Sequence, residues 1–461
     1  MKKHTEKYNP IEMKVNIDAD KKTILFICSP SLGILDSWIS VLISLKKKLP
    51  DTQFIFVAPK SNIISSINLD TELIKMANTI FGKIVFRSKC GVWLYSNTFF
   101  DAKKINVSSD FNLFNFPIGL MKKLRLKKFV QILKGSYKAI VSIFYSKYLF
   151  DINKISKTKY ATLFDITQFD KSYVEDLNPL ISSGNNFSII HGVNPRATSH
   201  IKIKLLNGKD VVSNKNYLTQ KSTVFALSEK EREFYEIVYG LNSEQIKVYG
   251  IPRHEKQWMK TLIEKEDFKK NNERYILVIS RPVSTVLPLK RKKKSLEMIK
   301  IIAKQLGYKV IIKLHPKEKY YKYFEDVFDA NEFKKSWEIS TKHPFVLGKN
   351  SEFAVSFYSG VPIDLIVFGV PTIELLDLKG IKDYDNECAL RDDNGEAVLN
   401  PRYLNLVLGT SSFEGFQKHV KRILNDRNNV IKELQIEYEK NFPILENVND
   451  KIAQYICKNI N

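Results

Sequence analysis

The sequence predicts an α/β protein of two domains, each a parallel sheet flanked by helices, and three observations carry that expectation. At 461 residues the chain is long for one compact core, and two units of roughly 200 residues are the natural division. Short β-branched and aromatic runs alternate with helical patterns along most of its length, which is the order of a βαβ series. The series breaks once, after Gly250, and then begins again.

Thr23 to Cys28 (TILFIC) is the first predicted strand. Ser29-Pro30-Ser31-Leu32-Gly33 closes it, a helical pattern runs from Asp36 to Lys48, and Gln53 to Ala58 (QFIFVA) is the second strand. Further strands are predicted at Lys83 to Phe86, Tyr160 to Phe164, Phe187 to Ile190 and Thr223 to Leu227. Several end at a small or polar residue that begins a loop, and open parallel sheets bind ligands at such carboxyl ends. Ile251 to Asn272 is charged and carries no strand signal, so it reads as the connection between domains. The second series comprises Arg274 to Ser280 (RYILVIS), a helix from about Ser295 to Leu306, Lys309 to Leu314, Phe353 to Phe357, a helix near Ile363 to Phe368 and the strand Thr372 to Leu375. The expected domains are residues 1–255 and 256–461. Asn428 to Tyr438 and Asp450 to Asn459 are helical, and the last helix is expected to cross back to the first domain. No internal repeat or low-complexity tract interrupts this order.

Hydrophobic residues make up 44% and aromatics 12%, too much apolar surface for a disordered chain. Lysine and arginine total 73 against 50 acidic residues, a net charge of +23 that attracts phosphorylated substrates, acidic lipid or nucleic acid. No recognition module or basic stripe with interleaved aromatics appears, so nucleic acid is not the expected partner and a nucleic-acid-binding protein stands only as the rival from another class. Cys28, Cys90, Cys388 and Cys457 are far apart and suggest neither a disulfide framework nor a zinc site. Met1 to Asp20 lacks an apolar signal core and no run reaches the roughly 20 apolar residues of a span, so a cytoplasmic protein is expected. Asp18 with Asp20 and Asp383 with Asp385 have a carboxylate spacing that can hold a divalent ion, but they fall before any strand and in a polar loop; no metal is expected.

Two basic stretches remain open between a partner and plain solvation. Met121 to Phe150 interleaves Lys122, Lys123, Arg125, Lys127 and Lys128 with Leu, Phe, Ile and Val, a pattern that can lie in an anionic bilayer interface or simply form a solvated helix face. Lys290-Arg291-Lys292-Lys293-Lys294 sits at a helix start, where the macrodipole disfavours cations; it reads as a site for an anionic partner or as a solvated loop.

Three segments at predicted strand ends carry the candidate chemistry. In Ile189-Ile190-His191-Gly192-Val193-Asn194-Pro195-Arg196 an apolar strand delivers a histidine, able to act as a base at neutral pH, beside a glycine that permits close backbone approach. A lone histidine is also often structural. In Lys309 to Glu318, Lys313 and His315 share one strand face before Pro316 stops the ladder, with Lys317 just beyond; such groups can neutralise a departing diphosphate. In Ser356-Phe357-Tyr358-Ser359-Gly360-Val361-Pro362-Ile363-Asp364, hydroxyls and a glycine precede a helix with proline in its first turn, a seat for phosphate on free N–H groups unless Ser359 merely caps the helix. Glu374, one strand further, can accept from ribose hydroxyls.

His191-Gly192, the Gly250-Ile251-Pro252-Arg253 turn, Lys313-Leu314-His315-Pro316, and Ser356 to Asp364 with the following Pro371 resemble, in order, the motifs of CDP-glycerol glycerophosphotransferases. Related patterns occur in bacterial capsule and lipopolysaccharide transferases of the GT-B fold. The resemblance covers roughly Phe187 to Leu375 and implies two Rossmann-like domains facing across a cleft, the first on the acceptor side and the second holding the donor. It implies His191 as the acceptor-side base and His315 with the Ser356–Ser359 loop on the donor phosphates. Gly192, Arg253, Arg281, Lys313, Pro316, Lys317, Tyr358, Gly360, Asp364 and Glu374 complete the implied donor site. The implied reaction moves a sugar or polyol phosphate from a CDP-, CMP- or UDP-linked donor to a glycan or lipid-linked acceptor, without a separate cofactor, on the inner membrane face. Where that family shows paired serines after the tyrosine, this chain has Tyr358-Ser359-Gly360, which is similar to the nucleotide loop of UDP-N-acetylglucosamine 2-epimerases; an epimerase of the same fold is therefore the alternative enzyme.

Overall fold

Runs of Ile, Val, Leu and Phe build two separate sheets. The computed structural model describes residues 21–109, 138–166, 185–193, 222–265 and 274–460, apart from 30–32, 70, 90, 140, 316, 319–321, 388 and 444–445, together with positions 177, 181 and 195. The first sheet contains β1 (Thr23–Ile27), β2 (Gln53–Ala58), β3 (Lys83–Arg87), β4 (Trp93–Ser96), β5 (Tyr160–Asp165), β6 (Asn185–Ile189), β7 (Ser222–Ala226) and β8 (Ile246–Val248), in the order β4-β3-β2-β1-β5-β6-β7-β8. Only the β3–β4 pair in it is antiparallel. The second contains β9 (Tyr275–Ile279), β10 (Lys309–Lys313), β11 (Trp337–Ser340), β12 (Phe353–Ser356) and β13 (Thr372–Leu375); after the short antiparallel pair β14 (Leu390–Arg391) and β15 (Ala397–Val398), β16 (Leu408–Thr410) completes it. Its order is β11-β10-β9-β12-β13-β16 and its pairings are parallel.

β1 and β9 are buried at every residue, as strands covered on both faces must be, and this is why they read as unbroken apolar runs. Both sheets reverse strand order beside that first strand, between β1 and β5 and between β9 and β12. A crevice opens at the carboxyl ends of such a switch point.

The helix Gly33–Lys48 covers the first sheet, and the Trp38 indole donates to the Phe164 carbonyl (3.3 Å). The last helix, Val448–Lys458, lies against it: Lys48 pairs with Asp450 (2.8 Å), and the Tyr455 ring stands edge-on to Phe187 and Phe225 (6.3 and 5.7 Å between centroids). The chain thus ends on the first sheet after completing the second. The connection after Gly250 forms the short 3₁₀ turn Pro252–His254 and the helix Lys256–Lys265. The helix expected from Ser295 begins instead at Leu289, directly after Pro288, which places the basic run inside it. Among the described residues no helix is long and apolar enough to cross a membrane. Lys122, Lys123, Arg125, Lys127 and Lys128 lie outside the described residues.

Candidate functional site

On the first sheet, β5 ends at Asp165 and the adjacent β6 runs out through Ile190 to His191. Asp165 is fully buried, and its Oδ2 lies 2.7 Å from His191 Nδ1, while the His191 side chain keeps 31% of its surface exposed. A buried carboxylate thus stands within ion-pair distance of the imidazole. Gly192 then takes φ +71°, a left-handed turn, and its N–H donates to Ser37 Oγ (3.3 Å), which bends the chain sharply behind the histidine. Asp165 was not among the sequence candidates because the predicted strand stopped one residue short of it. Its signal was a carboxylate closing an apolar run. Cys28, at the end of β1, has its thiol pushed far up by burial and by the Asp165 charge, so it is no nucleophile.

On the second sheet, β9, β10 and β12 lead into Arg281, His315 and Tyr358. The Arg281 guanidinium stacks over the Tyr358 ring at 4.5 Å, bridging the switch point, and the Tyr358 hydroxyl is 2.9 Å from Ser284 Oγ. The Lys317 N–H donates to His315 Nδ1 (3.1 Å), so the ring proton sits on Nε2. Burial, followed by the charges of Arg281, Lys317, His191 and Lys313, pushes His315 down to about 3. It is therefore a neutral donor in a cationic setting. The His191 charge, from the other sheet, is among those that act on it. The two sides also touch: a Cβ on Gly360 would collide with the Val193 carbonyl, so only glycine lets the Tyr358–Gly360 loop reach the loop carrying His191.

Several residues expected to bind the donor are placed otherwise. Arg253 is buried with Nη1 3.0 Å from Asp36 and Nη2 2.8 Å from Asp364, and His254 Nε2 lies 2.6 Å from the same Asp364. Arg253 and Asp364 are thus paired with each other in this structure. Ser356 is fully buried and its hydroxyl has no hydrogen-bond partner among the described residues, so it stands behind the loop rather than in the opening. Ser359 Oγ accepts the Val361 N–H (3.2 Å) just before the seven-residue helix Val361–Val367, whose N-cap is Gly360. Glu374 is buried, and desolvation, partly opposed by Arg402, raises its carboxyl to about 8, which favours its protonated form. Lys313 Nζ donates to the Thr341 carbonyl (3.0 Å), at the margin of the cluster. Pro316 lies outside the described residues. Asp385 is held by Arg391 (3.0 Å) and the Gly380 N–H (2.9 Å), and no three metal-ligating side chains converge among the described residues.

No protein-family model matches the chain, and no curated protein matches it in sequence. Among solved structures it is similar to the wall teichoic acid polymerase TagF, at 11% identity and a TM-score of 0.53, over 96% of this chain and 90% of that one. It is also similar to S. aureus MnaA in complex with UDP (12% identity, TM-score 0.50, 95% and 96% of the two chains). A third similar structure is the Methanocaldococcus jannaschii UDP-GlcNAc 2-epimerase with UDP-GlcNAc and UDP (14% identity, TM-score 0.50, 95% and 99%). The fold is the GT-B arrangement of two mostly parallel α/β sheets.

Proposed function

We infer that the chain is a nucleotide-dependent transferase that moves a sugar or polyol phosphate from an activated donor to a surface-glycan acceptor. The observation that carries this reading is the pairing of His191 with a buried Asp165 on a loop that the Tyr358–Gly360 loop touches, where the charges of His191, Arg281 and Lys317 all bear on His315. An acceptor hydroxyl gives its proton to His191 Nε2, and Asp165 stabilises the imidazolium. The freed oxygen bonds to the donor phosphorus while the bond to the nucleoside monophosphate breaks, or to the sugar C1 while the nucleoside diphosphate leaves. In either case the departing phosphate charge is met by the Arg281 guanidinium, the His315 Nε2–H and Lys317. In this reading residues 1–255 take the acceptor and 256–461 the donor. The structures of TagF and of UDP-bound MnaA support a nucleotide-linked substrate.

The reading extends to the inner face of a membrane. Phe100, Ile143 and Phe144 are 64%, 73% and 78% exposed and flank, in sequence, the lysines at 122–128. Sedimentation with vesicles tests this part: binding that requires anionic lipid is expected, and equal partition with neutral vesicles would remove it.

A thermal-shift series with CMP, CDP, UDP and GDP tests the site itself. One nucleotide at about 100 times its Kd is expected to add ~2.7 kcal/mol of stability, a shift of a few degrees, and His315→Ala is expected to abolish it. No response to any of the four would defeat the reading. The alternative, epimerisation of a nucleotide sugar, is supported by the similarity to the Methanocaldococcus jannaschii UDP-GlcNAc 2-epimerase over 99% of that chain. Incubating the donor without acceptor separates them: an isomerised sugar identifies the epimerase, an unchanged sugar the transferase.

A further inference from the structure

The basic run Lys290–Lys294, open in sequence between solvation and an anionic partner, is folded inward at its centre. Lys292 is fully buried on the helix Leu289–Leu306. Its ammonium donates to Ser280 Oγ (2.9 Å), to the Arg281 carbonyl and to the Glu318 carboxylate, which Tyr323 also contacts. The rings of Tyr323 (4.7 Å), Phe324 (5.1 Å) and Phe357 (5.9 Å) close the cage. Beside it, Arg291 spans outward to the carbonyls of Asp377 and Lys379 (2.6 Å each) and Lys293 pairs with Asp326 (2.9 Å). The run staples loops of its own domain.

An ammonium without solvent is costly unless paired, and an apolar side chain of similar length fills such a space without that cost. What the charge adds is direction. Glu318 is the far corner of a turn in which its N–H donates to the His315 carbonyl (2.8 Å) and the Lys317 N–H donates to the His315 ring. Arg281, whose carbonyl the same ammonium holds, is the residue stacked on Tyr358. We propose that Lys292 is the positioning residue of the donor site: one buried ammonium ties the Ser280–Arg281 loop to the His315–Glu318 turn, so that the Arg281 guanidinium and the His315 Nε2–H meet the same phosphates. This rests on the donor reading given above.

Lys292→Met alone strands the Glu318 carboxylate in the interior, so the test uses the paired variant Lys292→Met with Glu318→Gln, which removes both charges. The pair is expected to melt within a few degrees of the wild type, since an uncharged replacement of a buried ion pair is often tolerated. Its Kd for the nucleotide that binds the wild type, and its KM for the donor, are expected to rise roughly 10- to 100-fold, with acceptor KM unchanged. Adding His315→Ala to the pair should then cost much less affinity than in the wild type, because both changes act through one ring. Wild-type nucleotide affinity in a folded paired variant, or full additivity with His315→Ala, overturns the proposal. If the pair does not fold, Glu318→Gln alone serves: it keeps the other partners of the ammonium, and an unchanged donor Kd in it overturns the proposal equally. A wild-type chain that binds none of the nucleotides fails differently, removing the donor reading and this inference together.

Discussion

Two neighbouring clusters of ionisable groups are built from the same residue types and put to opposite uses. Behind the opening, Arg253 bridges Asp36 and Asp364, His254 meets Asp364 and Tyr438 (2.6 and 2.8 Å), and His343 meets Asp36 (3.1 Å). There, cations and carboxylates are matched and buried. At the opening, His191 pairs with the buried Asp165, while the charges of Arg281, Lys317 and Lys313 bear on His315. The excess of positive charge is left to an anion that arrives from solution. Matched charge holds the two halves of the chain in place; unmatched charge is where binding is expected.

The comparison breaks most visibly at His191. His191→Asn is expected to lower turnover about 10²- to 10⁴-fold with nucleotide affinity kept, measured as kcat against Kd; equal activity would move His191 out of the chemistry. Next comes Arg253→Met, which leaves Asp36 and Asp364 buried without their cation and is expected to cost about 3–5 kcal/mol in urea unfolding while nucleotide binding survives in the folded fraction. Arg281→Met should do the reverse, changing stability little and raising donor KM roughly 10-fold or more. If both arginines affected stability alone, the two clusters would not differ in kind.

The smallest expected effect is in pH dependence. Burial, which outweighs Asp364, holds His254 below its ordinary value of 6.5, and burial with the surrounding cations lowers His315 to about 3. The unfolded chain takes up these protons first, so the stability these groups contribute is present above about pH 6.5 and is lost as pH falls below it. Glu374 has the opposite sign: its folded value of about 8 stands above the ordinary 4.5, so its contribution is complete below 4.5 and fades as pH rises through 8. Melting curves from about pH 5 to about pH 9 should therefore lose, in Glu374→Gln, the decline that runs between about pH 5 and about pH 8, and change nowhere else. An unchanged decline over that range would place the Glu374 carboxyl in water.

What the sequence showed of the fold follows burial. Central strands such as β1 and β9 are apolar throughout and were legible, whereas β4, β8, β11 and β16, the four sheet edges, were not. Edge strands are short and half-exposed, three or four residues here, and give no period to read. The site divides similarly. His191 and His315 could be found because strand ends announce themselves in sequence. Arg253 and Lys292 could not be sorted from ligand-binding cations, since sequence shows a charge but not its partner, and here the partners lie far along the chain at Asp36, Asp364 and Glu318.

A crystal structure with the nucleoside diphosphate selected in the thermal-shift series would decide whether the two histidines serve one donor. The diphosphate should lie with an oxygen within about 3.2 Å of His315 Nε2, against Arg281, and with its outer phosphorus turned toward His191. A nucleotide bound away from the carboxyl ends of β6, β9 and β10, or touching neither histidine, would contradict it.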